Sequence, residues 1–204
     1  MNDTIAAIST TTGIGAISII RVSGDDAIKI VNKIVKNKNL EEVNTHTINY
    51  NHIVDNDKII DEVLISIMKA PKTFTTEDIV EINCHGGIAT TKKTLELLLE
   101  QGIRLAEPGE FTKRAFLGGR IDLTQSEAVM NLINVKNEKS RKIAINNLKG
   151  TTTNKIRDLR NQIVKILTNI EVNIDYPEYE DIAVVTTEQL KDCVTEIGTE
   201  IKNT

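Results

Sequence analysis

The chain has 204 residues, 40% of them hydrophobic and 26% charged, and a formal net charge of −4, which accommodates one large or two small soluble domains. Residues 1–118 hold 13 basic and 16 acidic side chains and residues 119–204 hold 12 and 13; on these counts no segment is basic enough to predict a phosphate-neutralising patch. The opening MNDTIAAIST lacks the features of a signal peptide, no apolar run approaches the ~20 residues of a membrane span, and Cys84 and Cys193 have neither metal-ligand spacing nor a disulfide framework, so a cytoplasmic location and no membrane partner are expected.

In chain order, Thr4–Ser9 reads as a strand, Gly13-Ile14-Gly15 as a turn, and Ala16–Val22, apolar on both faces, as a second strand. Ser23-Gly24-Asp25 caps a helix running through Val35, with Ala27, Ile28, Val31, Ile34 and Val35 at helical spacing. His46–Val54 alternates as a strand and turns at Asp55–Lys58, and Ile59–Met68 and Asp78–Cys84 follow as strands rich in β-branched residues. His85-Gly86-Gly87 leads into a helix whose Ile88, Leu95, Leu98 and Leu99 are expected to face a core. Residues 1–118 are thus predicted to form a mixed α/β domain.

Beyond residue 120 the period is helical, which predicts an all-α domain over 119–204 and an α+β fold class for the whole. Thr124-x-x-Glu127 reads as a capping box, with Leu123 placed to staple onto Ala128. Ile156, Leu159, Ile163, Ile166, Leu167, Ile170 and Ile174 form one apolar stripe of the kind that faces a bundle core. It stops before Pro177 in the acidic turn Asp175–Asp181. A last helix starts at Thr186-x-x-Gln189 and ends in mid-pattern, from which a shortened chain is expected.

Candidate chemistry concentrates in Glu107–Val129, EPGEFTKRAFLGGRIDLTQSEAV, where Glu110, Lys113, Arg114, Arg120 and Asp122 crowd around two glycine turns, as loop-borne sites do. Arg21 closes an otherwise apolar strand and needs a partner, either a carboxylate on a neighbouring strand or an anionic or planar ligand. Glu81 interrupts Ile79-Val80-Glu81-Ile82 in the same way; it can accept from the N–H edge of a pterin or guanine ring, or pair with Arg21 across the sheet. His85-Gly86-Gly87 could hold an anion on backbone N–H groups; the preferred reading is a tight strand-to-helix turn needing glycine dihedrals and capped by His85. Cys84 and His85, adjacent on a strand, point to opposite faces and make a poor nucleophile–base pair, so Cys84 reads as a buried thiol. No GxxxxGK[ST], HExxH, GxSxG or zinc spacing occurs, and Gly13-Ile14-Gly15 is not a dinucleotide fingerprint. The residues point to a binding pocket more than to a catalytic centre.

The run EPGEFTKRAFLGGRIDLTQSEAV resembles the signature of the bacterial tRNA uridine-modification GTPases of the MnmE (TrmE) family. DTIAAISTTTGIGAISIIRVSG resembles that family's start, FTTEDIVEINCHGG its middle, and IDYPEYED a turn of its helical domain, all in order over essentially the whole chain. The resemblance implies an N-terminal tetrahydrofolate-binding α/β domain, like the folate domain of aminomethyltransferases, that forms a homodimer and holds 5-formyl- or 5,10-methylene-tetrahydrofolate. It further implies a helical domain interrupted by a GTPase domain that uses GTP, Mg and K and is missing from this sequence, so that GTP hydrolysis is not expected of this chain alone. An FAD-containing partner (MnmG, or GidA) and tRNA complete the implied system, in which folate carbon is installed on the wobble uridine.

Carried over by motif, the implied folate contacts are Arg21, Glu81 and Arg120, and no catalytic residue or metal ligand is assigned. Two departures bear on this: the family's Thr-Pro-Pro-Gly turn is Thr10-Thr11-Thr12-Gly13 here, and Arg120 stands where the family usually has lysine. The alternative is a non-catalytic dimerisation and interaction module with a vestigial pocket. A free-standing aminomethyltransferase relative fits less well, because no catalytic aspartate can be assigned.

Overall fold

The computed structural model describes residues 3–36, 39–175 and 187–202. The acidic turn read at Asp175–Asp181 and the start of the last helix at Thr186 lie outside these residues, apart from Asp175 itself. The chain divides into two compact units, residues 1–126 and 127–204.

The first unit is built on a six-stranded sheet. Its strands are β1 (Ile5–Ile8), β2 (Ile17–Ser23), β3 (Thr47–Asp55), β4 (Lys58–Met68), β5 (Ile79–His85) and β6 (Arg104–Leu105). They lie in the order β3-β4-β5-β2-β1-β6, antiparallel throughout except for the β1–β6 pair. Helices α1 (Ala27–Asn32) and α2 (Ile88–Glu100) pack on one face. Between them and the sheet sits an aliphatic core in which Ile20, Val22, Ile65, Ile67, Val80, Ile82, Val31 and Leu98 are buried and no aromatic ring takes part. Because side chains alternate along a strand, Ile19 and Arg21 of β2, Glu81 and Asn83 of β5, and Leu64 and Ser66 of β4 share the opposite face.

Several local expectations are corrected. The first helix ends at Asn32 instead of running through Val35. Ile34 and Val35 leave it to lie along β3, where Val35 bridges Ile53 and the Ile34 carbonyl accepts from Val54 N–H at 2.9 Å; two β-branched residues favour that extended pairing. In α2 the fully buried side is Thr91, Thr94, Leu97 and Leu98; of the expected core positions Leu98 is buried and the half-buried Leu95 packs against the core, while Ile88 is 62% exposed and Leu99 only half-buried. The threonines carry the buried stripe because Thr94 satisfies its hydroxyl by donating to the Thr90 carbonyl at 3.0 Å.

At the strand-to-helix turn, neither Gly86 nor Gly87 occupies the left-handed region, and no side chain caps α2. Gly86 is required for close approach instead. A Cβ there would fall on the Gly15 backbone carbonyl, in a crossing held by Gly15 N–H to the Gly86 carbonyl at 3.0 Å and Gly86 N–H to the Ala16 carbonyl at 3.2 Å. Gly86→Ala is therefore expected to destabilise the unit by about 1–3 kcal/mol, the range for forced overpacking. Gly87→Ala, whose Cβ would meet only the Thr90 hydroxyl at ordinary distance, should cost less; a urea melt in which the two variants match would contradict this.

Helix α3 (Glu110–Leu117) follows β6, and α4 (Leu123–Asn134) runs across the division between the units. The capping box lies two residues before the expected one. Asp122 Oδ1 accepts from Gln125 N–H at 2.8 Å and Gln125 Oε1 accepts from Asp122 N–H at 2.9 Å, the reciprocal pattern of such a box. Leu123, the expected staple, is 70% exposed.

The second unit continues with α5 (Glu138–Leu148), capped by Asn137 accepting from Ser140 N–H at 2.8 Å, then α6 (Thr151–Asp175) and α7 (Thr187–Lys202). The predicted stripe lies on α6, none of whose residues is buried among those described; Ile156, Ile163, Leu167 and Ile174 are exposed. No described helix is long and apolar enough to cross a membrane.

Candidate functional site

Arg21 and Glu81 face each other directly across β2 and β5. Arg21 Nε and Nη2 both reach Glu81 Oε1, at 2.8 and 2.7 Å, with the two side chains 30% and 22% exposed. The cross-strand reading of this pair is thus realised. Both bonds fall on one carboxylate oxygen, so Glu81 Oε2 and Arg21 Nη1 carry no hydrogen bond among the described residues.

Two rings flank the guanidinium, with Phe74 and Phe111 centroids 5.9 and 5.6 Å from Arg21 Cζ. Arg120 lies over the same Phe74 ring, 5.0 Å from its centroid, and its Nη1 approaches the Phe74 carbonyl at 3.5 Å. Arg21, Glu81 and Arg120, distant in sequence, therefore gather around Phe74. Such a set offers an acceptor, cations and flat apolar walls, which suits a planar heterocycle with an N–H edge and an anionic tail. Phe74 and Phe111 were not singled out in the sequence. The available signal was that the unit's three phenylalanines all fall within or beside the quoted motifs.

A buried ion network holds the segment that carries Phe74. Arg114, 2% exposed, donates from Nη1 to the Asp3 carbonyl at 2.8 Å and to Glu77 at 3.0 and 3.1 Å, and from Nη2 to Asp3 Oδ1 at 2.8 Å and Glu110 Oε1 at 3.2 Å. Arg104 grips Glu110 through both of its oxygens, at 2.5 and 3.0 Å, and reaches Asp3 at 2.7 Å. Glu77 also accepts from Ser23 Oγ at 2.8 Å at the end of β2. Gly118 lets the Thr76 hydroxyl lie against the end of α3, where a Cβ would strike it and would crowd the Thr75 carbonyl. Chiefly through the Arg104 bond, with Arg114 and the Glu107 N–H adding to it, the Glu110 carboxyl titrates at about 2.

The charge cluster read from Glu107–Val129 therefore separates by role. Glu110 and Arg114 are structural, Asp122 caps α4, Lys113 is exposed, and Arg120 alone of the five stands at the aromatic pair.

Further along the same face, Ile17, Tyr50, Glu62, Leu64, Asn83 and His85 border a cleft of about 390 Å³. His85 does not cap α2. Its Nδ1 meets Asp61 Oδ1 at 2.6 Å, and its N–H donates to Asp61 Oδ2 at 2.9 Å. The Asp61 bond raises the imidazole pKa above its ordinary 6.5. A raised histidine pKa lends stability that is complete below about 6.5 and lost as pH climbs through the raised value. An NMR titration should find His85 above its ordinary value and Asp61→Asn should return it there; an unmoved midpoint in that variant would refute the pairing. Cys84, on the core side, is 2% exposed, and burial pushes its thiol up to about 11, consistent with an inert thiol. Among the described residues no group of three His, Cys, Asp or Glu side chains could hold a metal ion.

These features define an α/β domain with an arginine–glutamate–aromatic site on one sheet face, followed by a helical unit. The model of the GTP-binding protein TrmE N-terminus matches residues 4–120, and that of the MnmE helical domain matches residues 123–204. The chain is 58% identical over 202 residues to a "tRNA modification GTPase MnmE" of Ligilactobacillus salivarius, and 57% identical over 201 and 202 residues to proteins of the same name from Streptococcus thermophilus and Bacillus cytotoxicus. Each alignment covers 98% of this chain and 44% of the relative. The chain belongs to the MnmE (TrmE) family of tRNA modification GTPases and carries that family's N-terminal and helical domains. It spans under half the length of the curated relatives it matches.

Proposed function

We propose that the chain is the folate-holding part of a tRNA-modification system, binding 5-formyl- or 5,10-methylene-tetrahydrofolate at Arg21, Glu81 and Arg120. The observation that carries this reading is the partly exposed Arg21–Glu81 pair, with one carboxylate oxygen and one guanidinium nitrogen left over, beside the Phe74 and Phe111 rings. Glu81 Oε2 would accept from the pterin N–H edge, Arg21 would hold that carboxylate ionised and aimed, and Arg120 would meet the ring carbonyl or the glutamate tail. The phenylalanines would exclude water, which strengthens each of these bonds. Bound there, the folate supplies a one-carbon unit for the C5 position of the wobble uridine of tRNA.

Dimerisation through the α/β unit, work with an FAD-containing MnmG-type partner and a cytoplasmic location belong to the same proposal. GTP turnover, with its Mg²⁺ and K⁺, is assigned to the part of the relatives' length that this chain does not span. Ile48, Tyr50 and Leu64, exposed side by side on the face that bears Glu81, are the apolar side chains a dimer contact would cover.

The test is a calorimetric titration of the chain with 5-formyl-tetrahydrofolate, its mass followed by light scattering. Micromolar binding by a dimer supports the proposal. Absence of binding by a folded dimer overturns the pocket assignment in this chain and favours an interaction module.

A further inference from the structure

The near-even charge of residues 119–204 conceals a separation along the sequence. From Lys136 to Lys165 there are nine basic side chains and two acidic ones, Glu138 and Asp158, whereas from Ile166 to Thr204 there are nine acidic and two basic. The basic stretch comprises the turn before α5, α5 itself and the first part of α6, and the two helices pack together. All nine basic side chains are exposed.

One of them is paired within the unit: Arg141 donates to Glu138 at 2.6 and 2.8 Å. Lys155 lines a cleft with Glu196 and Glu200 of α7. Apart from Arg141, none of the nine has an ion pair among the described residues. Lys139 and Lys142, and again Arg157 and Arg160, stand three residues apart on their helices, the spacing at which like charges repel. Over residues 119–204 as a whole this +7 stretch is offset by its acidic continuation, so only its local charge marks it as a phosphate-binding segment.

We propose that the exposed basic side chains of α5 and α6 form a docking surface for the sugar-phosphate backbone of RNA. The inference rests on the tRNA reading above for the choice of polyanion, and the folate pocket plays no part in it. Residues 136–165 contain no aromatic side chain, so stacking on unpaired bases is not the mode of contact. Exposed lysine and arginine tips that release counterions from a duplex stem are. The acidic α7, with Glu188, Asp192, Glu196 and Glu200, would repel the same backbone and limit the orientations in which it docks.

The test uses the full chain and fluorescein-labelled bacterial tRNA, with anisotropy read from about 50 to about 200 mM KCl. Replacing Lys139, Lys142, Arg157 and Arg160 by glutamine should make the log–log salt slope shallower by about 3–4 and weaken low-salt binding about a hundredfold or more. A variant with Lys29, Lys33, Lys58 and Lys92 replaced by glutamine makes the same charge change in the first unit and should bind as the parent does. Equal losses in both variants, or no loss in the α5–α6 variant, would overturn the proposal, as would tighter binding of polyglutamate than of tRNA by the parent chain. Helical circular dichroism should be unchanged, since the four side chains are exposed, and the charge-keeping Lys139→Arg/Lys142→Arg variant should bind as the parent does. Folate titration of the parent chain keeps the two ideas apart: no folate binding with tRNA binding intact sinks the pocket and not this surface.

Discussion

Arg114→Met is expected to destabilise the α/β unit by about 3–5 kcal/mol, the cost of removing one partner from a buried ionic group. The guanidinium is 2% exposed and bonds to Asp3, Glu77 and Glu110 together. Most of the loss comes from the carboxylates left behind. Glu110 keeps Arg104, but Glu77 keeps only the Ser23 hydroxyl as a side-chain donor. Adding Glu77→Gln to Arg114→Met should therefore cost less than the sum of the two single changes. A urea midpoint for Arg114→Met within error of the parent would refute this account. Acid sensitivity should change as well. A depressed carboxylate lends stability that is present above its ordinary 4.5 and lost as pH falls through about 2, so weakening the network brings acid unfolding to higher pH.

The second large effect concerns the ligand. Glu81→Ala and Arg21→Ala should each weaken 5-formyl-tetrahydrofolate binding by about tenfold to a hundredfold, the worth of a hydrogen bond to a charged group. Their folding cost should stay below about 1 kcal/mol, because the pair is partly exposed. Glu81→Gln makes the sharper test, since it keeps the shape and one acceptor while removing the charge. A folded Arg21→Ala/Glu81→Ala chain that binds folate like the parent would end the site assignment. Arg114→Met should also reduce folate affinity, but through the Phe74 segment, so added salts or osmolytes that restore its fold should recover part of the binding, as they cannot for Glu81→Ala.

Legibility in the sequence followed how local the cause was. The strands β2, β4 and β5 are β-branched runs bounded by turn residues, so period and composition reveal them. The two residues of β6 have no such signature, being paired only because Arg104 and Ala106 N–H groups meet the Thr4 and Ala6 carbonyls. The end of α1 is ambiguous in the sequence because Ile34 and Val35 fit a helical stripe as well as a strand, and a partner from β3 decides between them. The capping box was displaced because two overlapping candidates exist, and Asp122 is the better acceptor. For the site, Arg21 and Glu81 were visible as charges interrupting apolar strands. That Glu110 and Arg114 serve the scaffold was not, since only tertiary contact with Asp3 and Glu77 separates them from Arg120.

The aliphatic make-up of the interior has an optical consequence. The chain has no tryptophan, and residues 1–126 contain one tyrosine and three phenylalanines, none of them in the buried core. Tyr50 is 57% exposed on the sheet face, while Phe74 and Phe111 border Arg21. Near-ultraviolet absorbance and emission from this unit therefore report mainly on the sheet face that bears Arg21 and Glu81 and hardly at all on the packing of its interior, so a chromophore arriving at that face registers against a nearly silent background.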